Sequence, residues 1–582
     1  MGIVHPVLLF LLGAALAAAF PKARKALWVI PLLAFASVHW MEPGTYGRAS
    51  YLGFDLVFAK VDQLAIVFLH VFTLMAIIGS IYGMHVEDRW QHVAGFLYVA
   101  GSVGVTLAGD YLTLFIFWEL MAFSSVFLVW LRRKPASLAA GFRYLLVHVV
   151  GGLVLMGGIF LWWMHTHDLT FGPIAPENAN LAAYLILIGF ALNAAVPPLH
   201  SWLPDAYPES TVMGGVFMCA FTTKTAVYVL ARAFPGYEVL AIGGAIMTLY
   251  GVGYAIIEND GRRILAYHIV SQVGYMVCGV GIGTALALNG AVAHAYAHIL
   301  YKALLFMGVG AVLEMAGTSK LSELGGLYKR MPLAMVATVI GGISISGFPL
   351  TSGFVSKSMI VAGAGEAHHI VLLLMLLLAS VGTFLSVGIK LPYFIWFGED
   401  KGVVCKDPPK NMLVAMGIAS FFCFFLGIYP DYLYRLLPFE ATYHPYTAYH
   451  LSETLQILGF TGLGFYLLRK KLTPEAKLNL DLDWFYRKGA AQVVRFFRNP
   501  LSPVNDWVGE VYRTVGMRFA LGAANLWTRF DVKAIDGVVD GLAAGVWGMG
   551  DKVRHVQTGR LQQYIAAAVV ALFAVLAVVV SF

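Results

Sequence analysis

The chain has 582 residues, 59% hydrophobic, 14% aromatic and only 12% charged, with a mean hydropathy of +0.75. Soluble domains carry about 25% charged residues, so this composition excludes a water-soluble globule and with it a soluble enzyme, a nucleic-acid binder and a disordered scaffold. The net charge of +7 fits a membrane protein with basic cytoplasmic loops, and four cysteines without C-x-x-C spacing exclude a disulfide framework and offer no zinc or iron–sulfur ligand set.

Apolar stretches of about 20 residues, long enough to cross a ~30 Å hydrocarbon core, recur from end to end. The first, Val4 to Phe20, is followed rather than preceded by Lys22, Arg24 and Lys25. A signal peptide has the opposite order, so the run reads as a retained span with its N-terminus outside. Further spans are expected at 27–42, 62–84, 90–109, 111–131, 138–165, 181–199, 211–233, 237–257, 264–284, 287–316, 331–350, 368–397, 411–430, 449–468 and 561–582. The expected fold is all-α, a polytopic membrane protein of about 14 to 16 transmembrane helices.

Loop charges orient these spans. The loops that alternate to the inside hold Lys22, Arg24, Lys25, Arg89, Arg132, Arg133, Lys134, Arg262, Arg263, Lys320, Lys329 and Arg330. Lys401, Lys406, Lys410, Arg469, Lys470 and Lys471 continue the series, whereas the outer loops offer little beyond Arg48, Lys60 and Arg435. The positive-inside rule then gives a multi-pass protein of the cell (inner) membrane with its N-terminus outside.

Segment 472–560 departs from this pattern. It mixes 12 Lys/Arg with 9 Asp/Glu, includes Trp484, Trp507, Trp527 and Trp547, and lacks a clean 20-residue apolar run. Basic and aromatic residues interleaved with apolar ones suggest amphipathic helices along the cytoplasmic membrane surface; an ordinary soluble tail is the alternative. Residues 561–582 then form a final span.

Inside the spans, ionisable groups are informative, because a charge in hydrocarbon costs several kcal/mol unless paired or hydrated. Glu119 lies in an apolar run with nothing nearby in sequence to neutralise it, and Lys224 lies well inside its span. Lys390 lies near the end of another run, in Val387-Gly388-Ile389-Lys390-Leu391-Pro392. His294, His298 and Lys302 fall at i, i+4 and i+8, on one helix face, where they can form a stepwise hydrogen-bonded relay. Each has a plainer reading: a lone lysine snorkels to the interface, and a lone histidine bonds a backbone carbonyl.

Two spans are interrupted, one at Asn193-Ala194-Ala195-Val196-Pro197-Pro198 and one at Lys390-Leu391-Pro392. Proline frees a carbonyl, which membrane depth tolerates only where protein or water satisfies it. Paired broken helices point to two inverted repeats, read as 90–233 and 237–398. They are flanked by N-terminal spans in 1–89 and further core spans in 399–471.

Specific strings carry a resemblance to a known family. They are Phe117-Trp118-Glu119-Leu120-Met121, Pro198-Leu199-His200-Ser201-Trp202-Leu203-Pro204-Asp205-Ala206, Thr223-Lys224-Thr225-Ala226-Val227-Tyr228 and His298-Ile299-Leu300-Tyr301-Lys302-Ala303-Leu304-Leu305-Phe306. Over roughly residues 60 to 430 the chain resembles the antiporter-like, proton-conducting subunits shared by respiratory complex I, membrane-bound hydrogenases and Mrp-type Na+/H+ antiporters, and among these the D-type component of the Mrp antiporters. The resemblance implies a charge-coupled proton path through the membrane midplane. Glu119 matches the family's glutamate, Lys224 a central lysine, His298 and Lys302 the bridging helix, and Lys390 the exit-side lysine. At Asn193 most members carry the lysine that pairs with the glutamate; Arg143, Lys224 or a neighbouring subunit is the candidate replacement charge. The tail strings Ile535-Asp536-Gly537-Val538-Val539-Asp540-Gly541 and Gln557-Thr558-Gly559-Arg560 resemble instead the lateral helix and last span of the largest antiporter-like subunit of complex I.

The expected function is ion translocation, of protons and possibly Na+, as a subunit of a redox-driven or Mrp-type complex. Its partners would be other membrane subunits and the lipid bilayer, and no nucleic acid. No haem, cluster or nucleotide-binding pattern is visible, so neither a redox or hydrolytic site of its own nor a cofactor or metal is expected. The alternatives are a scaffold subunit that has lost transport, for which Asn193 is the best argument, and a quinone-binding subunit.

Overall fold

The structure, a computed structural model, describes residues 5–476, 479–555 and 557–581. Val4 and Phe582, the outer ends of the first and last expected spans, lie outside them. The described residues form a multi-pass helical membrane protein, and each of the expected spans contains a helix. Ten helices among the described residues are long and apolar enough to cross a membrane, and four shorter apolar ones accompany them. The chain divides into two compact units, Met1–Asp483 and Trp484–Phe582.

The first unit opens with α1 (Pro6–Ala19) and α2 (Val29–His39). The residues between α2 and the next span, read as loop, instead form an antiparallel hairpin of β1 (Gly44–Tyr51) and β2 (Phe54–Val61). Its two-residue turn, Leu52-Gly53, has φ of 52° and 82°, the left-handed geometry that matches the twist of paired strands. Short side chains capping orphan backbone N–H groups set the starts of many of the following helices. Asp62 caps α3 (Gln63–Tyr82), Asp88 caps α4 (Arg89–Leu107) and Asp110 caps α5 (Tyr111–Trp130). Proline begins α6 (Pro135–Thr166), where its missing N–H costs nothing.

The next two spans are broken. The seventh holds α7 (Leu181–Asn193) and the short α8 (Trp202–Ala206), separated by the expected proline break. The eighth consists of α9 (Val212–Met218) and α10 (Thr222–Ala233). Then come α11 (Glu238–Ile257), α12 (Gly261–Ile282) and α13 (Ala285–Ala316), the last two closed by left-handed glycines, Gly283 and Gly317. Several features of α11 to α13 stand at a fixed spacing from those of α4 to α6. Asp110 and Asp260 both cap helices and each bridges to a residue 60 positions on, Thr170 and Lys320; the offset of 150 residues is the same for both partners. α6 and α13, each of 32 residues, keep the same offset.

The second break is not where the sequence placed it. α14 (Pro332–Ile345) and α15 (Ser352–Glu366) are separated at Ser346–Thr351, in the Gly347-Phe348-Pro349 stretch. The span holding Lys390 instead continues through Pro392: α16 (Ile370–Thr383) passes into π-helical turns at Phe384–Lys390 and Tyr393–Phe397. Such wider turns accommodate a residue that the α-helical ladder cannot. The unit closes with α17 (Lys410–Ile428), the short α18 (Pro430–Tyr434) and α19 (Ala448–Leu468). Residues 479–483, expected in the tail, belong to this unit.

Burial grades the helices. Every residue in the apolar window of α12 is buried, against a third of that of α6. α13 packs on α9, α12, α14, α15 and α17 and is the axis of the core.

The second unit is an extended helical run, α20 (Asp483–Phe496), α21 (Ser502–Val511), α22 (Arg518–Phe530) and α23 (Gly537–Arg554), joined by π-helical turns. The apolar α24 (Leu561–Val580) ends it. Trp484, Trp507, Trp527 and Trp547 are all exposed.

Candidate functional site

α5 carries Glu119 to the surface of α6. The side chain is half-buried, and its Oε1 is covered without a hydrogen-bond partner among the described residues. The absence of a side chain at Gly152 makes room for it: a Cβ there would lie 2.1 Å from Oε1. Gly151, the residue before, faces Leu192 of α7 in the same way. Asn193, next along α7, is 1% exposed, and its Nδ2 likewise has no partner among the described residues. Arg143 forms a two-pronged ion pair with Asp205 of α8 at 2.7 and 2.9 Å.

Lys224 is fully buried and donates to the Cys219 carbonyl at 2.6 Å and to Thr223 Oγ1 at 3.1 Å. Cys219 ends α9, so its carbonyl is one of those left over where the span breaks. The lysines of the second half repeat this arrangement. Lys357 donates to the Ile345 carbonyl at the end of α14, at 3.1 Å. Lys390 donates to the carbonyls of Ile256 and Glu258 at the end of α11, at 2.6 and 2.9 Å. Helix C-termini carry roughly half a negative charge, so all three buried lysine amines rest on helix ends.

α13 connects the halves. His294, His298 and Lys302 lie along it, all 0% exposed. His294 contacts Ser356 Oγ through Nδ1 at 3.0 Å and Gln272 Oε1 through Nε2 at 3.2 Å. Lys302 reaches the Leu265 carbonyl only at 3.4 Å. Both ring nitrogens of His298 are buried without partners among the described residues, and its ring centroid lies 6.2 Å from that of His294 and 5.2 Å from that of Tyr301. Side-chain bridges lead from α12 to the Lys390 helix: His268 Nε2 to Ser386 Oγ at 2.6 Å, Gln272 Nε2 donating to Thr383 Oγ1 at 3.3 Å, and the Tyr275 hydroxyl to Ser380 Oγ at 2.8 Å. The structure thus gathers Lys224, His294, His298, Lys302 and Lys390 into one core. Glu119 stands at the α5–α6 contact, and Arg143 pairs with Asp205.

Sequence reasoning missed Lys357, His268 and Gln272. Lys357 follows a Gly-Phe-Pro break in a helix too polar and short to read as a span. His268 and Gln272 are one turn apart on α12, a spacing that was legible. Also missed was Asp481, which is 5% exposed. It accepts from the Tyr267 hydroxyl at 2.7 Å and from Tyr250, and lies 3.3 Å from His200 Nε2. Asn479 beside it donates to Glu258 at 3.1 Å, so residues 479–481 form a strap over the end of α11 and the first broken helix. Burial pushes the Asp481 carboxyl up, but the bonds from His200, Tyr250 and Tyr267 outweigh it and hold the group below the usual carboxylate range. Among the described residues no cluster of three or more His, Cys, Asp or Glu is placed to hold a metal ion.

Residues 108–385 match the family model described as NADH:quinone oxidoreductase/Mrp antiporter, TM. The chain is 30% identical over 359 residues to the D component of the Na(+)/H(+) antiporter of Alkalihalophilus pseudofirmus, covering 56% of this chain and 72% of the relative. It is 32% identical over 356 residues to the N component of the NADH-quinone oxidoreductase of Desulforudis audaxviator, covering 57% and 70%. In fold it resembles a chain of the membrane-bound sulfane sulfur reductase, an archaeal respiratory membrane complex, with a TM-score of 0.70, 22% identity and coverage of 91% and 99%.

Proposed function

The chain belongs to the NADH:quinone oxidoreductase/Mrp antiporter transmembrane family, and from that premise we propose that it translocates protons as one subunit of a multi-subunit membrane complex. One observation carries the reading. Lys224, His294, His298, Lys302, Lys357 and Lys390 are each 6% exposed or less, yet stand in one connected core. Burying so many ionisable groups is costly and marks ion pathways. A proton arriving on one changes the field at the next, so their protonation states are coupled. Half-helix C-termini stabilise whichever ammonium is charged, the role such ends take in other transporters.

The 150-residue offset supports two repeats, near 90–233 and 237–398. Each holds five membrane crossings, and an odd number makes the second start from the opposite face, so the repeats are inverted. Orientation follows from loop charge, with the N-terminus outside an inner membrane. The partners are other membrane subunits of a respiratory or antiporter complex.

The test is Glu119→Gln in the complete complex reconstituted into proteoliposomes, with pH-gradient dissipation as readout. Assembly should persist and most proton movement should stop; wild-type transport in both this variant and Lys302→Met would refute the proposal. Asn193, polar and buried in place of an ammonium, favours a second reading in which the first half is a scaffold. In that case a Lys302→Met variant would lose transport while Glu119→Gln kept it.

A further inference from the structure

We propose that Lys357 exchanges protons with water beside the N-terminal end of α19, through a small polar cavity closed by Glu453 and His450. The proposal rests on the translocation reading and gives its row a second port, beside Leu377 and Ser380 of α16 and ahead of Lys390 in the same span.

Lys357 is 6% exposed, and among the described residues its Nζ makes one hydrogen bond, to Ile345, with the Tyr275 ring centroid 5.1 Å away. An ammonium has three donors, so this one is under-satisfied by protein alone. Beside it lies a cavity of about 50 Å³ lined by Ser346, Lys357, Ser380, His450, Glu453 and Thr454. One buried water needs at least roughly 10–15 Å³ of such space and two to four polar partners, so the cavity has room for water. Ser346 and Ser380 donate to the carbonyls of Gly342 and Leu376, and Ser380 Oγ also meets the Tyr275 hydroxyl at 2.8 Å; a hydroxyl oxygen has two lone pairs, so each serine keeps acceptor capacity for water. The lining thus offers acceptors on one side and the lysine's spare donors on the other.

The outer wall of the cavity is titratable. His450 Nδ1 lies 4.0 Å from Glu453 Oε2, with their side chains 16% and 24% exposed, and its Nε2 meets the Tyr443 hydroxyl at 3.2 Å. Glu453, Leu377 and Ile457 line both this cavity and a large apolar groove between α16 and α19. Glu453 therefore stands at the seam between the polar interior and the outer surface. On the inner side, Ser356, adjacent to Lys357, contacts His294 of the α13 row. Polar groups thus stand on both sides of Lys357, with His294 and Ser356 toward the α13 row and Glu453 across the cavity. Ser380 of α16 precedes Lys390 in one helical span, with the π-helical turns between them, so the cavity and the Lys390 site are separate along that span.

The experiment uses the complete complex in proteoliposomes, with Cys405 replaced by serine because the other three cysteines are buried. Glu453→Gln and Lys357→Met should each slow pH-gradient dissipation by about a hundred-fold, the lower end of what a positioned proton-transfer group contributes; Glu453→Asp should restore most of it. Thr454→Cys should react with a membrane-impermeant, charged thiol reagent from one side only. If Glu119→Gln is inactive while Glu453→Gln and Lys357→Met run at full rate, the port is overturned and the translocation reading stands. Full rate in all three and in Lys302→Met would overturn that reading as well. Equal loss in Glu453→Asp and Glu453→Gln would indicate packing and refute the port. If Lys357→Met fails to assemble, the Glu453 pair and the thiol reaction decide, and a Thr454→Cys unreactive from both sides refutes it.

Discussion

Replacing Gly152 by alanine tests whether the position of Glu119, and not merely its presence, matters. The added methyl would sit 2.1 Å from Oε1 and 3.1 Å from the carboxyl carbon. Ordinary C···O contacts are about 3.3–3.6 Å, so Oε1 must retreat by more than about 1 Å. A flexible side chain makes that retreat at a cost of about 0.5–1.5 kcal/mol in off-rotamer strain. The same substitution gains about 0.5–1 kcal/mol in helix preference over glycine. Thermal stability should therefore barely move. Transport should not be spared, because misplacing a reacting group by about 1 Å costs roughly a hundred-fold. Gly157→Ala, on the same helix with nothing within 4 Å of the new Cβ, is the matched control. Proton flux in proteoliposomes and melting of the purified complex would be measured side by side. Equal flux in the two variants would show that Glu119 works, if at all, without a fixed position against α6.

Asn193→Lys should change the pH dependence of transport, since it places an amine in a buried site whose amide nitrogen has no partner among the described residues; an unchanged profile in an assembled variant would separate Asn193 from the conducting groups. Asp481→Asn should release the 479–481 strap at a cost of about 3 kcal/mol, the lower end for breaking a buried pair; unaltered hydrogen exchange there would refute this. Because Asp481 titrates lower folded than unfolded, its stabilisation is full above the unfolded carboxyl value of about 4 and fades only as pH falls through the folded value. The strap should accordingly stay docked between about pH 5 and 8, and release within that range would overturn the assignment. Deleting residues 484–582 should leave the preceding helices inserted but weaken association with partner subunits, because the tail exposes four tryptophans and a long amphipathic face; an unchanged complex mass on native gels would exclude a docking role.

The spans were legible because hydropathy is a local property: twenty apolar residues cross a bilayer whatever surrounds them. Glu119, Lys224, His298 and Lys302 were legible for the same reason, since the cost of a charge in an apolar run can be read without knowing its partner. Partners could not be read. That Lys224, Lys357 and Lys390 rest on helix C-termini, and Arg143 on Asp205, depends on backbone carbonyls freed at particular breaks and on elements packed far apart in sequence. Lys390-Leu391-Pro392 shows the limit of a local rule: proline predicted an interruption, but π-helical turns carried the helix through. The true second break, at Ser346–Thr351, exposed Lys357, which no hydropathy window had placed in a span. Asp481 and His200, 281 residues apart, meet only because the strap folds back onto the first broken helix. Sequence by itself determined that this chain crosses the membrane many times and which charges it carries in; tertiary structure decided what each charge rests on, because burial makes a group expensive locally while its stabilisation comes from wherever the fold brings a dipole or a counter-charge.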